Sequence, residues 1–121
     1  MSKDQTAYTT GKLKQFKKAL TANLKEVNEE LDQLRSYQKK QKNRRADSNP
    51  DFNESSKHFQ QQAKNDRQKR RLQRRVRELK SALRRVEDGT YGVDERTGKL
   101  IREERLKAMP TARFDILPRK K

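Results

Sequence analysis

The sequence predicts a mainly α fold, in which a long antiparallel two-helix coiled-coil hairpin is followed by a small C-terminal ββα module. Two apolar stripes with the three- and four-residue spacing of a helix face predict the hairpin. The first stripe consists of Leu13, Phe16, Leu20, Leu24, Val27, Leu31 and Leu34, and the second of Leu72, Val76, Leu79, Leu83 and Val86. Facing residues such as Leu20 and Leu79 have numbers that total 99, which places the turn of an antiparallel pair between Asn49 and Pro50.

The composition suits a narrow coiled-coil seam better than a large core. The chain has 121 residues, at most one domain with tails, and only 28% of them are hydrophobic. A charged fraction of 41% with few aromatic residues also fits a disordered chain, but the two matched stripes favour the hairpin. The net charge of +16 predicts a polyanionic partner: nucleic acid, a machine that carries nucleic acid, or an acidic membrane.

Several classes of protein are disfavoured by what the sequence lacks. It contains no apolar run of transmembrane length and no signal-peptide core before the first helix, so we expect a cytoplasmic protein without a membrane partner. It contains no cysteine, which excludes a disulfide framework and a thiolate metal site. No nucleophile–base set and no glycine-rich phosphate loop is found, so we expect no enzymatic activity.

The first helix is expected to follow a flexible N-terminus of residues 1–9 and to run from a cap at Thr9 or Thr10 to about Lys42. Its seam is apolar only as far as Leu34. Beyond that point the facing positions of the two helices are polar: Gln38, Gln41, Gln62, Asn65 and Lys69. We therefore expect the outer third of the hairpin to be its most mobile part.

The tip of the hairpin is predicted near residues 46–56. Pro50 suits the first turn of the second helix, with Asn49 as its cap. Asp51 and Glu54 then lie in the first turn, where the helix dipole favours acidic side chains. From the residues alone, these two acids are explained by the helix start without any further role.

The remainder of the chain is different in kind. Gly89 is a good stop signal for the second helix. Residues 91–101 predict a short β-hairpin, and residues 102–109 predict a short helix with Leu106 and Met109 facing inward.

Residues 89–116, with the sequence GTYGVDERTGKLIREERLKAMPTARFDI, resemble the globular end of the bacterial DksA/TraR family. The specific part of the resemblance is the run R-L-x-A-x-P-T-A, which begins at Arg105. The likeness extends back without a gap to Pro50 and covers a little over half of the chain. It implies a cytoplasmic regulator that binds RNA polymerase, pushes the coiled-coil tip into the secondary channel and modulates initiation, in many members together with ppGpp.

The resemblance gives roles to three groups of residues and assigns the segments of the chain. At the tip it implies the acids Asp51 and Glu54, with Ser56 at a small-residue position. The four cysteines of the family's zinc knuckle are replaced here by Asp94, Thr97, Asp115 and Pro118. The predicted segments are a flexible N-terminus (1–9), a coiled-coil hairpin (10–88), a degenerate, zinc-knuckle-like module lacking the cysteines (89–118) and a basic tail (119–121).

Two departures from the family's pattern bear on ligands. Carboxylates, a hydroxyl and a proline do not form the tetrahedral site that zinc prefers, so we expect no metal and no cofactor. Two positions that contact the alarmone in other members are Glu78 and Met109 here. Because Glu78 has the wrong charge for a polyphosphate, the sequence argues against a response to ppGpp.

A basic stripe is the strongest remaining signal. Ten of the nineteen residues from Arg67 to Arg85 are Lys or Arg, and Glu78 is the only acid among them. The stripe proper consists of Arg67, Arg70, Arg71, Arg74, Arg75 and Arg77. It is interpreted as a surface that binds phosphates or acidic proteins, although a solvated coiled-coil face remains an alternative.

The leading hypothesis is a metal-free, DksA-like regulator that binds RNA polymerase as a monomer. The alternative is a basic coiled-coil protein that binds nucleic acid through the basic stripe and keeps the fold but not the polymerase target. A structural oligomer is a third possibility, since exposed heptads can pair between chains, but the constant total of 99 indicates a seam satisfied within one chain.

Overall fold

Three helices make up the regular structure of the computed structural model, which describes residues 7–46 and 52–116. They are α1 (Thr10–Ala46), α2 (Phe52–Asp88) and α3 (Glu103–Ala108). The mainly helical fold with two long packed helices confirms that part of the prediction. The predicted cap and first-turn residues Asn49 and Pro50 lie outside the described residues.

Helix α1 begins after a side-chain cap formed by Thr9. The Thr9 hydroxyl accepts a hydrogen bond from the Lys12 N–H at 3.3 Å, and the Thr9 carbonyl accepts one from the Leu13 N–H at 2.9 Å. This is the arrangement expected of an N-cap threonine. The helix then continues to Ala46, four residues beyond the predicted end at Lys42.

The chain divides into two compact units, and both α1 and α2 contribute residues to each of them. The first unit comprises residues 1–24 and 77–121, and the second comprises residues 25–76. In the first unit, the buried apolar residues are Leu20, Leu79, Ala82, Val86, Tyr91, Ile101, Leu106 and Ala112. In the second unit they are Val27, Leu31 and Leu72, and Asn65 is buried with them.

The antiparallel register is confirmed separately in each unit. Lys17 Nζ lies 2.8 Å from a carboxylate oxygen of Glu87 in the first unit. Gln38 donates to Asp66 at 3.1 Å in the second. Each pair of residue numbers totals 104, five more than the seam total of 99. Lys17 follows Phe16 by one residue and Glu87 follows Leu83 by four, whereas Gln38 follows Leu34 by four and Asp66 follows Asn65 by one. Phe16 with Leu83 and Leu34 with Asn65 each total 99, so both contacts fit the antiparallel register.

Helix α2 ends where the sequence predicts. Gly89 has φ 77°, and its N–H donates to the Val86 carbonyl at 3.1 Å. The N–H groups of Thr90 and Tyr91 both donate to the Arg85 carbonyl, at 2.9 and 3.1 Å. Bonds of this kind satisfy carbonyls of the last helical turn that have no partner within the helix, and glycine adopts the required left-handed conformation without strain.

The predicted ββα module is only partly formed. Over residues 91–101 the described chain contains no strand, and a single antiparallel bridge joins Val93 to Leu100. The prediction of two strands was therefore wrong. Helix α3 is present and buries Leu106, but Met109 is 41% exposed and does not face inward. Two backbone hydrogen bonds accompany this bridge: the Asp94 N–H donates to the Lys99 carbonyl at 2.8 Å, and the Ile101 N–H donates to the Gly92 carbonyl at 2.7 Å.

Candidate functional site

The predicted tip residues are described only in part. Asp51 lies outside the described residues. Glu54 belongs to the first turn of α2, but its side chain is not among those described. Ser56 follows in the same helix and is exposed. The role of these three residues therefore remains a prediction.

The basic stripe lies mainly on the outer face of α2. Its exposed members are Arg67, Arg70, Arg71 and Arg74 in the second unit and Arg77 in the first. Counted from the buried seam residue Leu72, all five occupy positions that point away from the partner helix. Arg75 occupies a flanking position and is half-buried, because the side chains beside a seam are partly covered. The heptad register thus predicts which arginines are exposed.

The exposed stripe carries charge that carboxylates do not neutralise. Among the ion pairs of the described residues, none involves Arg67, Arg70, Arg71 or Arg74. The nearest acid in sequence, Asp66, accepts its hydrogen bond from Gln38 on α1. An unneutralised row of guanidinium groups is able to contact phosphates or acidic side chains of a partner.

Asp94, at the first cysteine position of the family's knuckle, is a buried hydrogen-bond acceptor. Its Oδ1 accepts from the N–H groups of Arg96 (2.8 Å) and Thr97 (3.3 Å). Its Oδ2 accepts from the N–H of Asp115 at 3.0 Å. The bond from the Asp115 N–H is the main reason why the pKa of Asp94 lies below its usual value. One carboxylate thereby joins the turn at residues 94–97 to the end of the described chain.

Asp115, at the third cysteine position, accepts bidentate hydrogen bonds from the side chain of Arg102. Arg102 Nε donates to Oδ2 at 3.0 Å and Nη2 donates to Oδ1 at 3.1 Å, while the Arg102 N–H also donates to Oδ2 at 3.1 Å. Such bidentate, charge-assisted bonds are stronger than neutral ones. The side-chain bonds from Arg102 hold the pKa of Asp115 low, and those to Asp115 raise the pKa of Arg102.

The other two former cysteine positions do not add a metal donor. Thr97 is exposed, and its hydroxyl accepts from the Lys99 N–H at 3.2 Å. Pro118 lies outside the described residues. Within the described part of the chain, no group of three or more His, Cys, Asp or Glu side chains could hold a metal ion. Four backbone N–H groups donate to the two carboxylates, and the Arg102 side chain donates twice more to Asp115, so the residues present do not fit zinc.

The same bonds hold the residues around the short antiparallel bridge. The N–H groups of Arg96, Thr97, Arg102 and Asp115 all donate to carboxylate oxygens. The bridge itself keeps its backbone hydrogen bonds, from the Asp94 N–H to the Lys99 carbonyl and from the Ile101 N–H to the Gly92 carbonyl.

Arg102 is the functional residue that sequence reasoning missed. Its partner Asp115 is thirteen residues away, and both Arg96 and Arg113 are as plausible from spacing alone. In the structure the contact between Arg96 Nε and Asp94 Oδ1 is long, at 3.9 Å. The Arg96 guanidinium lies over the Phe114 ring, 4.5 Å from its centroid. No pattern in the sequence distinguishes the three arginines.

Tyr8 also had no assigned role, because it falls in the terminus predicted to be flexible. In the structure its ring packs edge-on against Phe16, with centroids 5.2 Å apart, and its hydroxyl donates to the Ile101 carbonyl. Burial is the first cause of its raised pKa. A Cβ on Gly92 would lie 2.6 Å from this ring, so Gly92 permits the close approach. Its φ of 79° also requires glycine.

A second set of contacts ties the end of α2 to the P-T-A residues of the motif. Arg85 donates to Ser81 Oγ at 2.8 Å and to the Thr111 carbonyl at 3.3 Å. The Tyr91 hydroxyl donates to the Pro110 carbonyl at 2.7 Å, and burial raises the pKa of Tyr91 to about 12. Packing and hydrogen bonds therefore hold the C-terminal segment against the end of α2.

These features define a DksA-like fold: two long packed helices and a compact C-terminal segment. Among solved structures, the chain is similar to transcription factor DksA2 from Pseudomonas aeruginosa, with a TM-score of 0.76 and 21% sequence identity. The match covers 87% of this chain and 78% of that chain. No protein-family model and no curated protein matches the sequence. The likeness shows the fold.

No helix in the described residues is both long enough and apolar enough to cross a membrane.

Because hydrogen bonds and packing hold the C-terminal segment, we expect zinc to be dispensable. The purified protein should contain less than stoichiometric zinc by elemental analysis, and its melting temperature should not change when a chelator is added. A bacterial relative with an intact four-cysteine knuckle is the positive control, and its melting temperature should fall in the same chelator. Stoichiometric zinc, or a chelator-induced fall in this protein, would contradict the expectation.

Proposed function

We propose that this protein is a bacterial transcription regulator that binds RNA polymerase and inserts the tip of its coiled coil into the secondary channel to modulate initiation. The observation that carries the proposal is the fold, which matches transcription factor DksA2 over 87% of the chain. The R-L-x-A-x-P-T-A residues support it as well, since Leu106, Thr111 and Ala112 are buried where the fold needs them.

The proposal assigns separate tasks to the two surfaces of the hairpin. The exposed stripe arginines supply electrostatic contacts to the polymerase, and Asp51 and Glu54 supply negative charge at the tip. The protein acts as a cytoplasmic monomer, since the seam is satisfied within one chain. It works without zinc and without ppGpp; Glu78, at one alarmone position, is exposed and acidic, and Met109, at the other, carries no charge.

The alternative function is binding of duplex nucleic acid through the basic stripe. The observation in its favour is that Arg67, Arg70, Arg71 and Arg74 have no carboxylate partner among the described residues. A row of this kind binds DNA without reading its sequence. The two functions differ in whether duplex DNA alone is sufficient or the polymerase is required.

The test compares the affinity of the protein for core RNA polymerase with its affinity for duplex DNA. Changing Arg67, Arg70 and Arg74 to Gln should weaken polymerase binding by about tenfold or more, since several charged contacts are lost at once. Changing Lys14, Lys18 and Lys25 to Gln is the matched control, because it removes the same charge from exposed positions of α1.

Salt dependence separates the two functions further. If the stripe binds DNA, the logarithm of the affinity falls with the logarithm of the salt concentration, with a slope of about −0.9 per phosphate contact, and the stripe variant has a shallower slope. No measurable binding of wild-type protein to core polymerase overturns the proposed function. A flat salt response with both partners refutes a role for the stripe in either.

A further inference from the structure

An open, basic groove in the second unit is not used by the proposed function. It has a volume of about 920 Å³ and lies between residues 35–42 of α1 and residues 57–69 of α2. The groove occupies the part of the helix pair that follows the last apolar seam residue, Leu34. Ligand sites commonly have volumes of about 300 to 1,000 Å³.

The groove lies where the seam is polar. The seam positions of this stretch are Gln38 and Gln41 on α1 and Gln62, Asn65 and Lys69 on α2. Tyr37 flanks the seam and is 45% exposed. Asn65 is the buried polar residue at the floor, where its Oδ1 accepts from Gln61 Nε2 at 3.0 Å. Little apolar surface is buried in this stretch, so packing alone does not account for its sequence.

The charge of the groove is strongly unbalanced. Its lining contains five cations, Arg35, Lys39, Lys42, Lys57 and Lys69, and a single carboxylate. That carboxylate belongs to Asp66, which accepts a hydrogen bond from Gln38 at 3.1 Å. Arg35 has one long contact, 3.9 Å, with Asp32 outside the groove. A concave surface with this excess of one sign attracts an occupant of the opposite sign.

Two exposed aromatic rings narrow the choice of occupant. Tyr37 on α1 is 45% exposed and Phe59 on α2 is 66% exposed, and both line the groove. Unpaired bases of a nucleic acid stack on rings of this kind. The combination of a basic channel and aromatic platforms is the arrangement that binds single-stranded nucleic acid without reading its sequence. Paired bases in a duplex are not available for this contact.

We propose that this groove binds single-stranded nucleic acid, with bases stacked on Tyr37 and Phe59 and phosphates held by the lysines of both helices. The site lies apart from the outward-facing arginines of the stripe and requires no polymerase. It therefore goes beyond the proposed function, and either could hold without the other.

The test measures binding of the full chain, in the absence of polymerase, to labelled twelve-nucleotide oligo-dT and oligo-U, with a duplex of the same length and inorganic polyphosphate alongside. Changing both Tyr37 and Phe59 to Ala should weaken binding to the single strands by about tenfold or more, and to the duplex and polyphosphate by less than about twofold. Both rings are exposed, so this variant should fold, and circular dichroism checks that it does. Comparing oligo-dT with oligo-U determines whether DNA or RNA is preferred.

Three further variants keep the result interpretable. Tyr37→Phe retains a ring and should bind like wild type. Phe114→Leu removes an aromatic side chain that is 39% exposed outside the groove, and it should have no effect. Lys39→Gln with Lys42→Gln should weaken binding to every anion, whereas Lys14→Gln with Lys18→Gln should not.

Equal binding of single strands by wild type and the double-alanine variant would overturn the proposal. So would binding to duplex or polyphosphate that depends on the two rings as strongly as binding to single strands does. Neither result affects the polymerase hypothesis, which is tested with a different partner and a different set of variants.

Discussion

Replacing Asp115 with Asn is expected to release the C-terminal segment from the helices. The change keeps the size of the side chain but removes its charge, and it turns an amide NH₂ toward the donors of Arg102. The lost bonds are charge-assisted, and Asp115 is buried although the Arg102 side chain is about half exposed, so the free energy of unfolding should fall. Amide hydrogen exchange should show lost protection at Arg102, whose N–H donates to the Asp115 side chain, and at residue 115, whose N–H donates to Asp94 Oδ2. Helix content measured by circular dichroism should hardly change.

A matched control is available in the same segment. Glu95 is exposed and lies 3.9 Å from Arg113, so Glu95→Gln removes one carboxylate of similar location without breaking a short bond. An exposed pair of this kind contributes about 0 to 1 kcal/mol. If Asp115→Asn and Glu95→Gln have the same small effect on hydrogen exchange, the two aspartates do not replace the metal of the knuckle.

Asp94 and Asp115 also make the stability of the C-terminal segment depend on pH. The pKa values of Asp94 and Asp115 are lowered in the folded state, so the unfolded chain binds protons more readily than the folded one. Their contribution is therefore present above the unfolded pKa of about 3.9 and is lost as the pH falls through the lower folded values. The wild type should lose protection of the segment in that acidic range. The Asp94→Asn, Asp115→Asn double variant should show a weaker dependence on pH there.

Replacing Asp51 with Asn and Glu54 with Gln is expected to abolish regulation of initiation while leaving the affinity for RNA polymerase nearly unchanged. The two amides preserve the size of the side chains and remove the negative charge that the proposed function assigns to the tip. Loss of the favourable interaction with the helix dipole costs about 0.3 to 1 kcal/mol per acid and is confined to the helix start. The measurement is the lifetime of open complexes on a responsive promoter, beside an affinity measurement with core polymerase.

The control for the tip variant removes the same charge elsewhere. Glu29 and Glu30 are exposed on α1, and changing both to Gln should leave regulation intact. If the tip variant regulates as well as wild type, Asp51 and Glu54 serve only as a helix start. If it loses polymerase affinity as well as regulation, tip and docking contacts are not separable as proposed.

The long helices could be predicted from sequence because their determinants are local and periodic. The two stripes alone predicted the antiparallel register, and the contacts of Lys17 with Glu87 and of Gln38 with Asp66 confirm it. Gly89 ended α2 as expected, since a left-handed residue after the last turn is a local requirement. The exposure of the stripe arginines followed from the same register.

The C-terminal segment was decided by tertiary structure. Residues 91–101 predict two strands, but in the structure they form one antiparallel bridge, and Asp94 and Asp115 accept N–H groups of the residues around it. Which arginine would meet Asp115 depends on how α3 folds back, and a spacing of thirteen residues carries no periodic signal. The packing of Tyr8 and the groove beside Tyr37 could not be predicted from the sequence pattern either, because both depend on what packs, or fails to pack, against them. The sequence by itself therefore determined the helix pair, its register and its charged face, whereas tertiary contacts determined how the C-terminal segment is held and where a groove opens, because those contacts join residues far apart in the chain.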